Sequence, residues 1–68
     1  MEIAYPIKEY HDKKIGDIPI DRDCHIEIIK RNGGLIVPHG DTVLQADDRL
    51  TIVGKKEAVQ KTLSMFET

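Results

Sequence analysis

The stretch His25-Ile26-Glu27-Ile28-Ile29-Lys30-Arg31-Asn32-Gly33-Gly34-Leu35-Ile36-Val37-Pro38 decides the fold. Two runs rich in β-branched residues flank Asn32-Gly33, a dipeptide suited to a two-residue type I′ turn because both central residues need positive φ. The stretch therefore reads as a β-hairpin. With that turn, Arg31 faces Gly34, Ile29 faces Ile36 and Ile28 faces Val37. Strict alternation then places Ile26, Ile28, Leu35 and Val37 on one side, and Glu27, Ile29, Arg31, Ile36 and Pro38 on the other. The first side is the expected core. A turn centred on Gly33-Gly34 would shift this pairing and is the alternative.

Upstream, residues 1–8 alternate loosely and contain Pro6, which lacks the amide proton a central strand would donate, so they read as an edge strand. Residues 11–20 form a loop or short helical turn that lays Ile15, Ile18 and Ile20 on the core. Asp21-Arg22-Asp23 then carries the chain through solvent. Downstream, residues 38–41 are a turn, and 42–44 are a short extended piece with Val43 or Leu44 inside. After a polar turn at 46–48, residues 49–54 alternate as a strand with Leu50 and Ile52 inward. In residues 55–66, Val59, Leu63 and Phe66, with Ala58 and Thr62 beside them, follow the spacing of an amphipathic helix. The expected fold is α+β: a small antiparallel β-sheet with a hairpin and a C-terminal helix packed on one face.

Sixty-eight residues make one domain, 1–68, with no second unit to supply a substrate cleft. A chain this short buries only about 60% of its unfolded surface, so a partner chain is an expected source of stability. Ten Lys and Arg against twelve Asp and Glu give a net charge of -2, with the signs interspersed. Nucleic-acid binding needs a basic face and is not expected on that ground. No apolar run approaches the roughly 20 residues of a membrane-spanning helix, so direct membrane insertion is not expected. A single cysteine, Cys24, suits a reducing, cytoplasmic setting.

No catalytic constellation emerges, and no enzyme is expected. Cys24 beside His25 would need both side chains on one face, whereas strand neighbours point to opposite faces. His11, His25, His39 and Cys24 lack the compact spacing of zinc modules, and no metal is expected. Gly54-Lys55-Lys56 lacks the earlier glycine and the closing Ser or Thr of a phosphate loop. Residues 41–48 are acidic without the ligand spacing of a calcium loop. The expected functional surface is instead the hairpin's outward side, where Ile29, Ile36 and Pro38 cluster beside Glu27 and Arg31 and near Asn32 and His39. An exposed sheet face is ordinarily polar, so a helix, a loop or a second copy of the chain should cover this one.

Lys14-Ile15-Gly16-Asp17-Ile18, then 26–33, then Ile36-Val37-Pro38-His39-Gly40-Asp41-Thr42-Val43-Leu44, then Asp48-Arg49-Leu50-Thr51-Ile52-Val53-Gly54, resemble in order and spacing the RCK C-terminal (TrkA-C) domain family. The resemblance covers about residues 2–66. It implies a cytoplasmic regulatory domain of a potassium or other cation channel or transporter, paired as a homodimer about a two-fold axis. In the family such domains usually follow an RCK N-terminal Rossmann domain, which is not among these 68 residues. Some members bind cyclic di-AMP between two copies, so a small nucleotide ligand is implied here, with no other cofactor. Carried onto this chain, the cleft would be lined by Ile29, Arg31, Asn32, Ile36 and Pro38, with His39 at the rim. A structural dimerisation module without a ligand is the alternative.

Overall fold

The computed structural model describes residues 2–66. Four strands and one helix follow in the order β1 (Glu2–Ala4), β2 (Cys24–Arg31), β3 (Gly34–Ile36), β4 (Arg49–Gly54) and α1 (Lys56–Leu63). The strands form one antiparallel sheet in the spatial order β1-β4-β2-β3. β1 lies at an edge, and buried Pro6 follows just beyond it, where no ladder hydrogen bond is lost.

The hairpin turn is the one the Asn-Gly dipeptide requires. Asn32 and Gly33 take φ of 50° and 81°, and Arg31 pairs with Gly34 and Ile29 with Ile36. The sidedness of the hairpin is the reverse of the alternation argument. Ile26 pairs with Ile52 of β4, but Ile28 pairs with Thr51, so Glu27 is an extra residue with no partner. Such a β-bulge moves every later side chain of the strand to the opposite face. Ile26 and Ile29 are therefore both core residues, while Ile28 is only half-buried and Leu35 and Val37 are 67% and 66% exposed. The expected outward cluster of Ile29 and Ile36 is corrected accordingly. Ile29 has no exposed surface, and Ile36 packs against the core from the edge strand.

The core lies on one face of the sheet. One row crosses all four strands, Ala4-Leu50-Ile29-Ile36, and its first three members are fully buried. Beside it lie Ile26 and Ile52. α1 packs against β1 and β4 with Ala58, Val59 and Thr62 buried, and Phe66 meets Tyr10 with ring centroids 5.5 Å apart. The helix ends at Leu63, three residues earlier than its apolar spacing indicates, and Phe66 reaches the core from the turn that follows.

The long connections contribute Ile18 and Leu44 to the same core, with Ile15 and Ile20 packed against it. Of the pair Val43 and Leu44, Leu44 is the residue inside. A 3-10 turn at Ile15–Asp17 places the isoleucines. A backbone ladder ties this strap to residues 40–44: Asp12 N–H to the Leu44 carbonyl (2.8 Å), Leu44 N–H to Lys13 (3.0 Å), Ile15 N–H to Thr42 (2.9 Å) and Gly16 N–H to Gly40 (2.8 Å).

Candidate functional site

A groove of about 380 Å³ lies at the seam between the start of β2 and the irregular strap. Its apolar lining comes from Ile15, Ile18 and Ile20 of the strap, Ile26 of β2 and Pro38 beyond the hairpin. Arg22, His25 and His39, all exposed, supply its polar groups together with Asp21. The alternation of β2 explains part of this arrangement. Cys24 and Ile26 face inward, so His25 between them faces solvent.

Arg22 makes no ion pair among the described residues, so its planar fork of donors is free for an anion. The neighbouring Asp21 is engaged on both oxygens: Oδ1 accepts the Asp23 N–H at 2.9 Å, and Oδ2 lies 3.9 Å from Lys61 Nζ. The strap approaches the 38–40 turn closely. A Cβ on Gly16 would stand 3.0 Å from the Gly40 carbonyl oxygen, so a glycine there keeps the groove wall in place.

The residues expected to share one cleft are divided by the structure. Pro38 and His39 line the groove. Ile29 and Ile36 belong to the core row, and Asn32 is exposed at the hairpin turn. Arg31 is committed elsewhere. Its Nε and Nη2 donate to Asp48 Oδ1 and Oδ2, both at 2.8 Å, and Nη2 also donates to the Val43 carbonyl at 2.9 Å. Asp48 is almost wholly buried and accepts a further hydrogen bond from the Gln45 N–H at 2.8 Å. Burial by itself would raise the Asp48 pKa; the hydrogen bonds from Arg31 and Gln45 and the charge of Arg31 outweigh it and hold the carboxyl below its usual value. The hydrogen bond to Asp48 and its charge hold the Arg31 pKa above its ordinary value, against a smaller effect of burial. This bidentate pair clasps the end of β2 to the 43–48 loop.

Cys24 is buried, with Sγ 3.0 Å from Thr62 Oγ1 and 3.6 Å from the Ala58 carbonyl, while His25 faces the other way. Thiol and imidazole are therefore not paired.

The sequence profile described as the TrkA-C domain matches residues 3–67. The chain belongs to the TrkA-C domain family. A Trk system potassium uptake protein TrkA homolog 2 of Methanosarcina mazei is 35% identical over 67 residues, covering 97% of this chain and 15% of that protein. A Trk system potassium uptake protein TrkA homolog of Archaeoglobus fulgidus is 43% identical over 54 residues, covering 79% of this chain and 12% of that protein. This TrkA-C domain thus spans a small fraction of those relatives' length. A solved structure described as "Structure of RCK domain with cda" superimposes with a TM-score of 0.86 at 31% identity, covering 98% of this chain and 100% of that one. Among the described residues, no helix is long and apolar enough to cross a membrane.

Arg22, His25, Ile18, Ile20 and Ile26 are groove residues that the hairpin reading did not select. Ile18 and Ile20 carried a signal in the sequence, as isoleucines spaced along a polar loop, but it indicated only burial. Arg22 carried a weaker one, a cation isolated between two aspartates ahead of a strand.

Proposed function

We propose that this TrkA-C domain is a ligand-responsive regulatory module of a potassium or other cation channel or transporter, acting as a cytoplasmic homodimer. The groove is its ligand site, and cyclic di-AMP is the ligand we assign to it. The observation that carries this reading is the pairing, in one cavity, of an aliphatic lining with an uncommitted guanidinium and two imidazoles. Aliphatic groups accept the flat face of a purine, and Arg22 offers a planar fork to a phosphate. The groove is open along one side, and a two-fold partner would close it around a symmetric dinucleotide. Support also comes from the solved RCK domain described with cda, an abbreviation that fits cyclic di-AMP, and from the potassium uptake relatives.

In mechanism, a ligand touching both copies favours one arrangement of the dimer over another, and the transporter responds to that difference. Pro38 and His39 are retained as ligand-contacting residues, and Arg22 is the phosphate-binding residue, because Arg31 is committed to Asp48. Isothermal titration of cyclic di-AMP into the domain, with sedimentation before and after, tests this. Saturable heat that is lost in Arg22→Ala but kept in Ile28→Ala is expected. No heat at millimolar protein overturns the ligand assignment, and a ligand-independent dimer in the same experiment would leave a structural dimerisation module in its place.

A further inference from the structure

β3 is an edge strand with no neighbour on its outer side. In a hairpin closed by a two-residue turn, the residues flanking the turn exchange both hydrogen bonds, and every second pair repeats the exchange. Gly34 and Ile36 therefore bond inward, to Arg31 and Ile29, and the N–H and C=O of Leu35 point outward. Val37 has the same parity as Leu35, and the proline after it favours extended backbone there. The Val37 amide and carbonyl have no backbone partner among the described residues. Edge strands in natural sheets are commonly guarded by a charge or a proline. Residues 34–38 carry no charge, and Pro38 has inward parity, so its missing N–H leaves the outer row of donors intact. The side chains at the two outward-bonding positions, Leu35 and Val37, are 67% and 66% exposed.

Two copies of this edge fit each other. An antiparallel pair needs outward-bonding residues opposite one another, and this holds when a two-fold axis passes Ile36 and sets Leu35 of one copy against Val37 of the other. Each such pair exchanges two hydrogen bonds, and the four aliphatic side chains meet on one face. The charges agree with this register. It runs the two β2 strands antiparallel, so exposed Lys30, which stands opposite Leu35, lies toward the end of the partner's β2 that carries exposed Glu27. The geometry points to the β3 edge as the contact between two copies of this chain, paired about a two-fold axis at Ile36. This rests on the homodimer of the reading above and names its interface. Residues 34–38 of each copy are far fewer than the roughly 20–30 a side of a standard interface, so the edge alone makes a weak pair. Pro38 and His39 of the groove lie at its end, so a ligand held there by both copies shifts the association toward the dimer.

Sedimentation equilibrium from micromolar to millimolar protein, with amide hydrogen exchange followed by NMR at both ends of that range, tests this with and without cyclic di-AMP. Concentration-dependent dimerisation is expected, with exchange at the Leu35 and Val37 amides slowing as the dimer forms. Val37→Pro removes an outward donor and no backbone bond within the chain, and should weaken dimerisation about tenfold or more. Glu27→Lys should weaken it several-fold at low salt, and adding Lys30→Glu should restore it. Circular dichroism checks that each variant is folded; where Val37→Pro is not, Val37→Lys, which brings a charge onto the edge, serves instead. A dimer that is unaffected by these variants and leaves the Leu35 and Val37 amides unprotected overturns the edge while the homodimer stands. A wild-type domain that stays monomeric at millimolar concentration, with the ligand and without it, overturns both.

Discussion

Asp48→Ala removes three hydrogen bonds from one buried point: those from Nε and Nη2 of Arg31 and that from the Gln45 amide. Breaking a buried ion pair from one side costs about 3–5 kcal/mol when the remaining charge is left dry. The Arg31 side chain is 21% exposed, so water reaches part of the guanidinium, and its bond to the Val43 carbonyl survives. The expected loss is therefore lower, about 2–3 kcal/mol. A domain of this size has roughly 3–10 kcal/mol of total stability, so the variant should be visibly weakened. In urea, with a slope near 1 kcal/mol/M, the unfolding midpoint should fall by about 2–3 M. Circular dichroism at neutral pH is the assay. Arg31→Met combined with Asp48→Ala should cost clearly less than the two single losses added together, because the pair is then removed as a unit. A midpoint shift below about 0.5 M for Asp48→Ala would refute the clasp as a buried, hydrogen-bonded pair.

The bulge at Glu27 predicts opposite outcomes for two hairpin residues: Ile29→Ala should cost about 2–5 kcal/mol, and Leu35→Ala should stay within about 0.5 kcal/mol. Equal effects in chemical denaturation would contradict the assigned faces. Gly54→Ala should destabilise by about 2–4 kcal/mol, because its φ is 149° and a Cβ would run into the Asp23 carbonyl and the Cys24 backbone; a near-native melting temperature would refute that close approach. In acid, Asp48 contributes stability that is fully present above the unfolded carboxylate value of about 4 and is lost as pH falls through its lower folded value. Denaturation midpoints between pH 5 and 2 should thus decline less steeply in Asp48→Asn than in the wild type, as flagged by roughly one titrating group.

The elements most legible in the sequence were those set by local chemistry. Asn32-Gly33 specifies its turn through backbone conformation alone, and β4 alternates without interruption from Leu50 to Ile52. β2 begins with equally clear alternation but carries one residue more than β4 can pair. Nothing in Ile26-Glu27-Ile28-Ile29 marks which residue is surplus, because the bulge is a property of two strands more than twenty residues apart. From that one residue followed the misplacement of Ile29 and Ile36, and with them most of the expected cleft. The resemblance places Arg31 in the ligand cleft; in the structure its planar fork is taken by the Asp48 carboxylate, brought to it by the chain's return into β4. Pro38 and His39 lie in the groove because the hairpin's exit meets the 15–18 strap, a contact made through backbone hydrogen bonds that leave no side-chain pattern.

The groove's two walls differ in how firmly they are held. At the groove, β2 is held in the sheet by its ladder with β4, whereas the opposing wall is a strap outside the sheet, with one 3-10 turn and a bridge between Lys14 and Val43. That strap is fixed by its ladder to residues 40–44, and residue 43 in turn receives the Arg31 hydrogen bond. A continuous chain of bonds therefore runs from Asp48 through Arg31 and Val43 to the Ile15 and Gly16 amides at the groove. Segments with few regular hydrogen bonds open at lower free energy than paired strands, so any displacement of the groove falls on the strap side. It follows that Asp48→Asn should speed hydrogen exchange at the Ile15, Gly16 and Leu44 amides while leaving Ile26 and Ile52 slow. Uniform acceleration across both sets would mean that strap and sheet open together, and would remove the groove's mobile wall.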